Sequence, residues 1–190
     1  DVYKRQGSTN GTDLIPSVEA INSGHLLAEV KVVLSNNELS GILKKAKKYG
    51  IENYFICHKN KKRDVFDFEM SEILENKKID LILLIGFMRI LSPRFVDRWD
   101  GKIINVHPSL LPKYAGGMSN DVHASVLAAG DEETGCSIHL VTKEVDGGPI
   151  LLQRSCPVFE SDSVESLKER VQKLEGEAFI EVINNWRSYE

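Results

Sequence analysis

The chain predicts an α/β fold, an open and mostly parallel twisted sheet flanked by helices. Three features carry that expectation. Strand-like runs alternate with amphipathic helical runs along the whole length. The run DLILLIGF (80–87) is apolar on both faces, as a central parallel strand must be. A Gly-rich stretch, GSTNGTDL (7–14), opens a helical pattern in the way that loops leaving a buried strand do.

The elements follow in order. DVYKRQ (1–6) shows neither alternation nor an apolar run, and it resembles one frame of a transposon end used in library preparation. It is read as a non-native scar, which leaves the first strand of the sheet missing. A helix is expected near 13–23, a strand over AEVKVVLSN (28–36) and an amphipathic helix over 38–49, closed by Gly50. NYFICH (53–58) reads as a short strand. The basic run HKNKKRD (58–64) then leads into a helix near 64–77. KIINVH (102–107) is a strand, and HASVLAAG (123–130) a short helix ending at Gly130. GCSIHLVT (135–142) and PILLQRSCPV (149–158) are strands joined through EVDGG. DSVE marks a capping box from Asp162 to Glu165 for one long helix over 163–185. The sequence has no linker, repeat or low-complexity tract, so 7–190 is expected to be one domain.

Composition narrows the function. Apolar residues make up 42% and charged residues 27%, the balance of a globular domain. A formal net charge of −4 argues against a nucleic-acid partner. The longest apolar run, LILLIGFM (81–88), is too short to span a bilayer. Cys57, Cys136 and Cys156 form an odd set without metal-ligand spacing, and each adjoins an apolar run. They read as core thiols in a reducing cytoplasm.

The chemistry concentrates in INVHPSLLPKYAGG (104–117). Asn105 and His107 lie two apart on a strand and so share a face. Pro108 keeps His107 extended. Strand ends of this kind border the ligand crevice of open α/β sheets. There a carboxamide beside an imidazole makes a donor pair for an oxyanion, although the pair also suits satisfying a loop backbone. In EVDGGPI (144–150), Gly147 and Gly148 permit a turn that projects Asp146 towards an imidazole; the plainer reading is a hairpin loop. The loop GSTNGTDL offers backbone N–H groups to a phosphate, or simply a helix capped by Thr12 or Asp13. GFMRILSP (86–93) leaves the sheet with a backbone suited to a flat heterocycle between apolar walls. Arg63 suits a carboxylate. His107, His123 and His139 have no zinc-type spacing, so no metal is expected.

GFMRILSP, INVHPSLLPKY, DEETGCSIHLV, VDGGPILLQ and RVQKLE together resemble the phosphoribosylglycinamide formyltransferases, in order and spacing, over nearly the whole chain. The resemblance implies a Rossmann-like formyltransferase fold. It also implies transfer of the formyl group of 10-formyltetrahydrofolate, a co-substrate, to the amine of 5′-phosphoribosylglycinamide in purine biosynthesis. By motif it assigns catalysis to Asn105, His107 and Asp146. Substrate binding falls to Gly11, Thr12, Asp13 and Glu175. Folate binding falls to Arg63, Met88, Arg89, Ile90, Leu91 and Asn105, with the loop 142–146. The partners implied are small molecules, with no nucleic acid or membrane, and a monomer or homodimer in the cytoplasm. Two departures from the family pattern stand out: Thr12-Asp13 replaces a common Ser-Asn, and YAGGMSNDVHASVL is longer than the usual segment, so that its second histidine maps to His123.

HPSLLP alone is shared with methionyl-tRNA and sugar-nucleotide formyltransferases. The alternatives are therefore a formyltransferase acting on another amine, a formyltetrahydrofolate hydrolase, or a nucleotide-binding module without catalysis. The first two usually carry an added domain, for which this chain has no room. The Asn–His pair speaks against the third.

Overall fold

The computed structural model describes residues 2–4, 14–117 and 119–186. Its seven strands are β1 (Val2–Lys4), β2 (Val33–Ser35), β3 (Asn53–Phe55), β4 (Ile82–Leu84), β5 (Ile103–His107), β6 (Glu133–Leu140) and β7 (Ile150–Pro157). Its helices are α1 (Leu14–Asn22), α2 (Gly41–Lys48), α3 (Arg63–Asn76), α4 (Pro93–Arg98), α5 (Ser119–Ala129) and α6 (Val164–Asn184). The strands form one sheet in the order β3-β2-β1-β4-β5-β6-β7. Pairing is parallel from β3 through β5 and antiparallel from β5 to β7. This is the open, mostly parallel α/β sheet that the sequence predicts.

The period-2 rule of a strand divides the core between the two faces. Val33, Leu83, Ile85 and Ile104 point to one side and pack with Leu14 and Val18 of α1, Ile42 and Ala46 of α2, and Val171, Phe179 and Val182 of α6. Val32, Leu34, Ile82, Leu84 and Ile103 point to the other and meet Phe66, Met70 and Leu74 of α3 and Phe95 of α4. Both faces of β4 are therefore buried, which is why its sequence is apolar throughout. α5 packs beside α6 through Val122, Val126 and Leu167. Among the described residues no helix is long and apolar enough to cross a membrane.

Several expectations need correction. The slot of the first strand, expected to be vacant, is filled by Val2–Lys4, which pairs with β2 and β4. A ladder is made by backbone groups, so this segment joins it without the alternation that a strand pattern asks for. The strand expected over 28–36 is only Val33–Ser35, because its neighbours β1 and β3 are equally short. α4 went unforeseen, although Ser92 as N-cap with Pro93 at the first helical position is a helix-start signal. The capping box of α6 joins Ser163 and Ser166, not Asp162 and Glu165. Asp162 instead takes two hydrogen bonds from Arg170, each 2.7 Å long. Cys136 and Cys156 are buried, whereas Cys57 is half-exposed, and no disulfide joins any of the three among the described residues.

Candidate active site

β5 delivers Asn105 and His107 to the carboxyl edge of the sheet, and β6 decides what they meet. In the antiparallel register Asn105 lies opposite His139, and His107 opposite Ser137. Directly opposed residues share a face. The Asn105 Nδ2 is accordingly 3.2 Å from His139 Nε2. His139 Nδ1 lies 2.9 Å from the Leu140 carbonyl oxygen. Ser137 holds the HPSLLP loop in place. Its hydroxyl donates to the Ser109 carbonyl at 2.7 Å and accepts from Leu111 N at 2.9 Å and from Gln153 Nε2 at 2.8 Å.

Asp146 arrives from the β6–β7 turn. The left-handed residue there is Asp146 itself, at φ 52°. Such a backbone costs a non-glycine residue about 1–3 kcal/mol and is sustained by its surroundings. The expectation that the two glycines supply the unusual dihedral is thus revised: Gly148 is needed for close approach. A Cβ there would lie 1.8 Å from the Leu140 carbonyl oxygen. With the turn drawn in this tightly, Asp146 Oδ2 sits 3.2 Å from His107 Nδ1 and accepts the Gly116 N–H at 2.8 Å. Asp146 Oδ1 lies 3.4 Å from His139 Nε2.

These contacts have electrostatic consequences. Burial would raise the Asp146 carboxyl, but hydrogen bonds from His107 and His139, the charge of His107 and the Gly116 N–H outweigh it. The group is held well below the ordinary carboxylate range and stays ionised. The other ring nitrogen of His107, Nε2, donates to the Tyr114 carbonyl at 2.9 Å. Both nitrogens of this buried ring thus face oxygen atoms. Tyr114 is also left-handed, at φ 62°. Its hydroxyl donates to Asp131 at 2.7 Å, and the adjacent Lys113 donates to the same carboxylate at 2.6 Å. Strained backbone on two separate loops therefore supplies both partners of one histidine.

A cavity of about 110 Å³ opens beside this cluster. Leu84, Phe87, Leu91 and Val141 give it apolar walls, and Asn105, His139 and Asp146 give it a polar end. The turn 142–146 and Arg89 and Ile90 complete the rim. The structure thus brings together Asn105, His107 and Asp146, and sets Arg89, Ile90 and Leu91 beside them. Met88 is half-buried and does not line the cavity. Arg63 stands exposed at the start of α3. Glu175 is 7% exposed on α6. Gly11, Thr12 and Asp13 lie outside the described residues. His123 is fully buried on α5, and neither of its ring nitrogens has a hydrogen-bond partner among the described residues.

Sequence reasoning missed His139 and the Tyr114 carbonyl. The spacing from His139 to Asp146 carries no motif, and only the register of β5 against β6 reveals the pair. A left-handed tyrosine has no sequence signal.

Hydrogen-bond donors at the edge of an apolar slot, backed by a carboxylate held ionised, suit a group-transfer enzyme acting at a carbonyl carbon. The comparisons with known proteins agree with that class. The family model described as "Formyl transferase" matches residues 6–183. Phosphoribosylglycinamide formyltransferase of Escherichia coli (strain K12) is 38% identical over 180 residues, covering 94% of this chain and 83% of that protein. The trifunctional purine biosynthetic protein adenosine-3 of Bos taurus is 42% identical over 173 residues. That match takes in 90% of this chain but only 17% of the bovine protein. Among solved structures, the phosphoribosylglycinamide formyltransferase of Coxiella burnetii superposes with a TM-score of 0.89 at 38% identity, covering 97% of this chain and 84% of that one. The chain belongs to the formyl transferase family, among the phosphoribosylglycinamide formyltransferases.

Proposed function

We propose that this chain moves the formyl group of 10-formyltetrahydrofolate to the primary amine of 5′-phosphoribosylglycinamide, a step of purine biosynthesis. The amine nitrogen attacks the formyl carbon directly, with no covalent enzyme intermediate. The new C–N bond forms, the bond from carbon to the folate N10 breaks, and the proton shed by the amine ends on N10. Asn105 Nδ2 and the Nε2–H of a charged His107 donate to the oxygen as negative charge gathers there. The Tyr114 carbonyl holds that N–H until the oxyanion takes its place. Asp146 keeps His107 charged and oriented and, through a water, helps carry the proton from the amine to the leaving nitrogen.

The two substrates approach from opposite sides. The pterin fits between Phe87, Leu91 and Val141, meeting the backbone of Met88 to Leu91 and the turn 142–146, with Arg63 at the glutamate tail. Backbone groups of Gly11, Thr12 and Asp13, which precede α1 in the sequence, take the substrate phosphate, and Glu175 takes its polar groups. The setting proposed is the cytoplasm, in keeping with three cysteines that no disulfide joins among the described residues.

The observation that carries this reading is the Asp146 carboxylate, bonded to His107 at 3.2 Å and lining the same cavity as Asn105. Incubation of the purified chain with 10-formyltetrahydrofolate, with and without phosphoribosylglycinamide, tests it. Consumption is expected only when the amine is present. Equal consumption without it would make the chain a hydrolase, and consumption only with an amino sugar nucleotide would make it a formyltransferase of another amine.

A further inference from the structure

Behind the proposed folate slot lies an acid that the reaction does not use. Asp67, on α3, is 2% exposed. Its Oδ2 accepts the Ser92 N–H at 2.6 Å, while its Oδ1 is buried without a hydrogen-bond partner among the described residues. The neighbouring Phe66 carries the Arg89 guanidinium over its ring, 4.8 Å from carbon to centroid. Arg89 Nε is likewise buried and without an acceptor. Burial pushes the Asp67 carboxyl up, against the Ser92 hydrogen bonds and the charges of Arg89 and Arg63. The acid is thus costly to keep, and an apolar residue would fill the same space at less cost. Capping does not explain it, since Ser92 already caps α4 by accepting the Phe95 N–H at 3.3 Å.

What Asp67 holds is the segment 89–92, whose other side lines the slot through Arg89, Ile90 and Leu91. We infer that Asp67 is a positioning residue for the folate donor. It clamps this segment from behind, taking the Ser92 N–H and facing the Arg89 guanidinium, and so fixes the backbone on which the heterocycle docks. It touches no substrate. The inference rests on the function proposed above and adds the device that sets affinity for one of its two substrates. An apolar replacement would pack but not anchor, which accounts for a carboxylate at a site that penalises one.

The test uses Asp67→Asn, which keeps an acceptor for Ser92 but loses the charge facing Arg89, and Asp67→Ala, which loses both. In Asp67→Ala the KM for 10-formyltetrahydrofolate should rise about tenfold, the worth of one ordinary hydrogen bond. Asp67→Asn should show a smaller rise. In both, kcat and the KM for phosphoribosylglycinamide should stay within about threefold of the parent. Amide hydrogen exchange, read without any substrate, should quicken across 86–92 and stay unchanged in β4 and β5. Adding Arg89→Ala to Asp67→Ala should raise the folate KM by less than Arg89→Ala does alone, since both residues serve one clamp. Unchanged exchange at 86–92, or a folate KM that does not move in an active enzyme, overturns the inference. A parent chain without folate-dependent turnover would refute the proposed function, and the exchange measurement would still decide the clamp. Should Asp67→Ala fail to fold, the Asp67→Asn pair of measurements decides it in the same way.

Discussion

Replacing His123 by leucine should make the protein less sensitive to acid. The ring is fully buried on α5, and neither nitrogen has a hydrogen-bond partner among the described residues. Burial, with the charges of Lys168 and His107 acting in the same direction, lowers its pKa from 6.5 to about 4. The sign follows from proton uptake: as pH falls through 6.5 the unfolded chain binds a proton at this position, while the folded chain does not until about 4. Stability is therefore untouched at neutral pH and is lost through that window. Integrating the linkage from about pH 7 to about pH 5 gives a loss of about 2 kcal/mol from this residue alone. Leucine is of similar size, titrates nothing and breaks no hydrogen bond, so the variant should fold. Urea unfolding followed by circular dichroism at the two pH values measures the effect. The parent should lose about 2 kcal/mol more than His123→Leu between them, since groups common to both cancel in the difference. Equal losses would show that His123 is already charged in the fold, or is solvated through a path the buried ring does not suggest.

Three further outcomes are expected. His107→Ala should leave folate binding, measured by fluorescence titration, nearly intact while removing turnover; Asn105→Ala, which deletes one oxyanion donor, should cost roughly 10²–10³ in kcat. Asp146→Asn keeps the shape of the turn but removes the charge facing two imidazoles, so kcat should fall by about 10² or more. The stability that Asp146 contributes is present above its unfolded pKa of about 4 and is lost as pH falls towards its lowered folded value, so the deficit of Asp146→Asn in urea should shrink below about pH 4. Gly148→Ala drives a Cβ to 1.8 Å from a backbone oxygen, whereas at Gly147 the added atom meets only the Glu144 side chain at 2.6 Å. Gly148→Ala should cost about 1–3 kcal/mol and most of the activity, and Gly147→Ala should be tolerated once Glu144 swings aside.

The fold was legible because its signals are local. Ile82 and Leu84 face one helical layer and Leu83 and Ile85 the other, so a strand buried on both faces writes itself as a continuous apolar run. Strand ends were less legible, since β2 stops where β1 and β3 stop and not where its own apolar pattern fades. In the site, Asn105 and His107 were readable from the two-residue period of β5. Asp146 was readable as a projected acid, but for the wrong reason: a glycine can be needed for its missing Cβ as much as for its dihedral freedom. His139 was not readable, because its membership depends on which residue of β5 it opposes. Asp67 stands between Phe66 and Phe68 on α3, and a lone acid in that setting carries no signal that it is buried.

The reversal of strand direction after β5 explains why so many motifs bear on so small a site. The antiparallel β6 starts at the carboxyl edge of β5, lays Ser137 opposite His107 and His139 opposite Asn105, and ends beside Ile104, from where the loop before β7 brings Asp146 back to His107. β7 then comes back with Gln153, whose amide donates to the Ser137 hydroxyl at 2.8 Å and to the Leu111 carbonyl at 3.1 Å. The HPSLLP loop is thus fastened from β6 and β7, Tyr114 is fastened through Asp131, and only then does the Tyr114 carbonyl reach His107. Ser137 and Gln153 touch no reacting atom, yet together they set the position of the histidine's hydrogen-bond partner. The motifs keep their order and spacing because one sheet edge fixes them all.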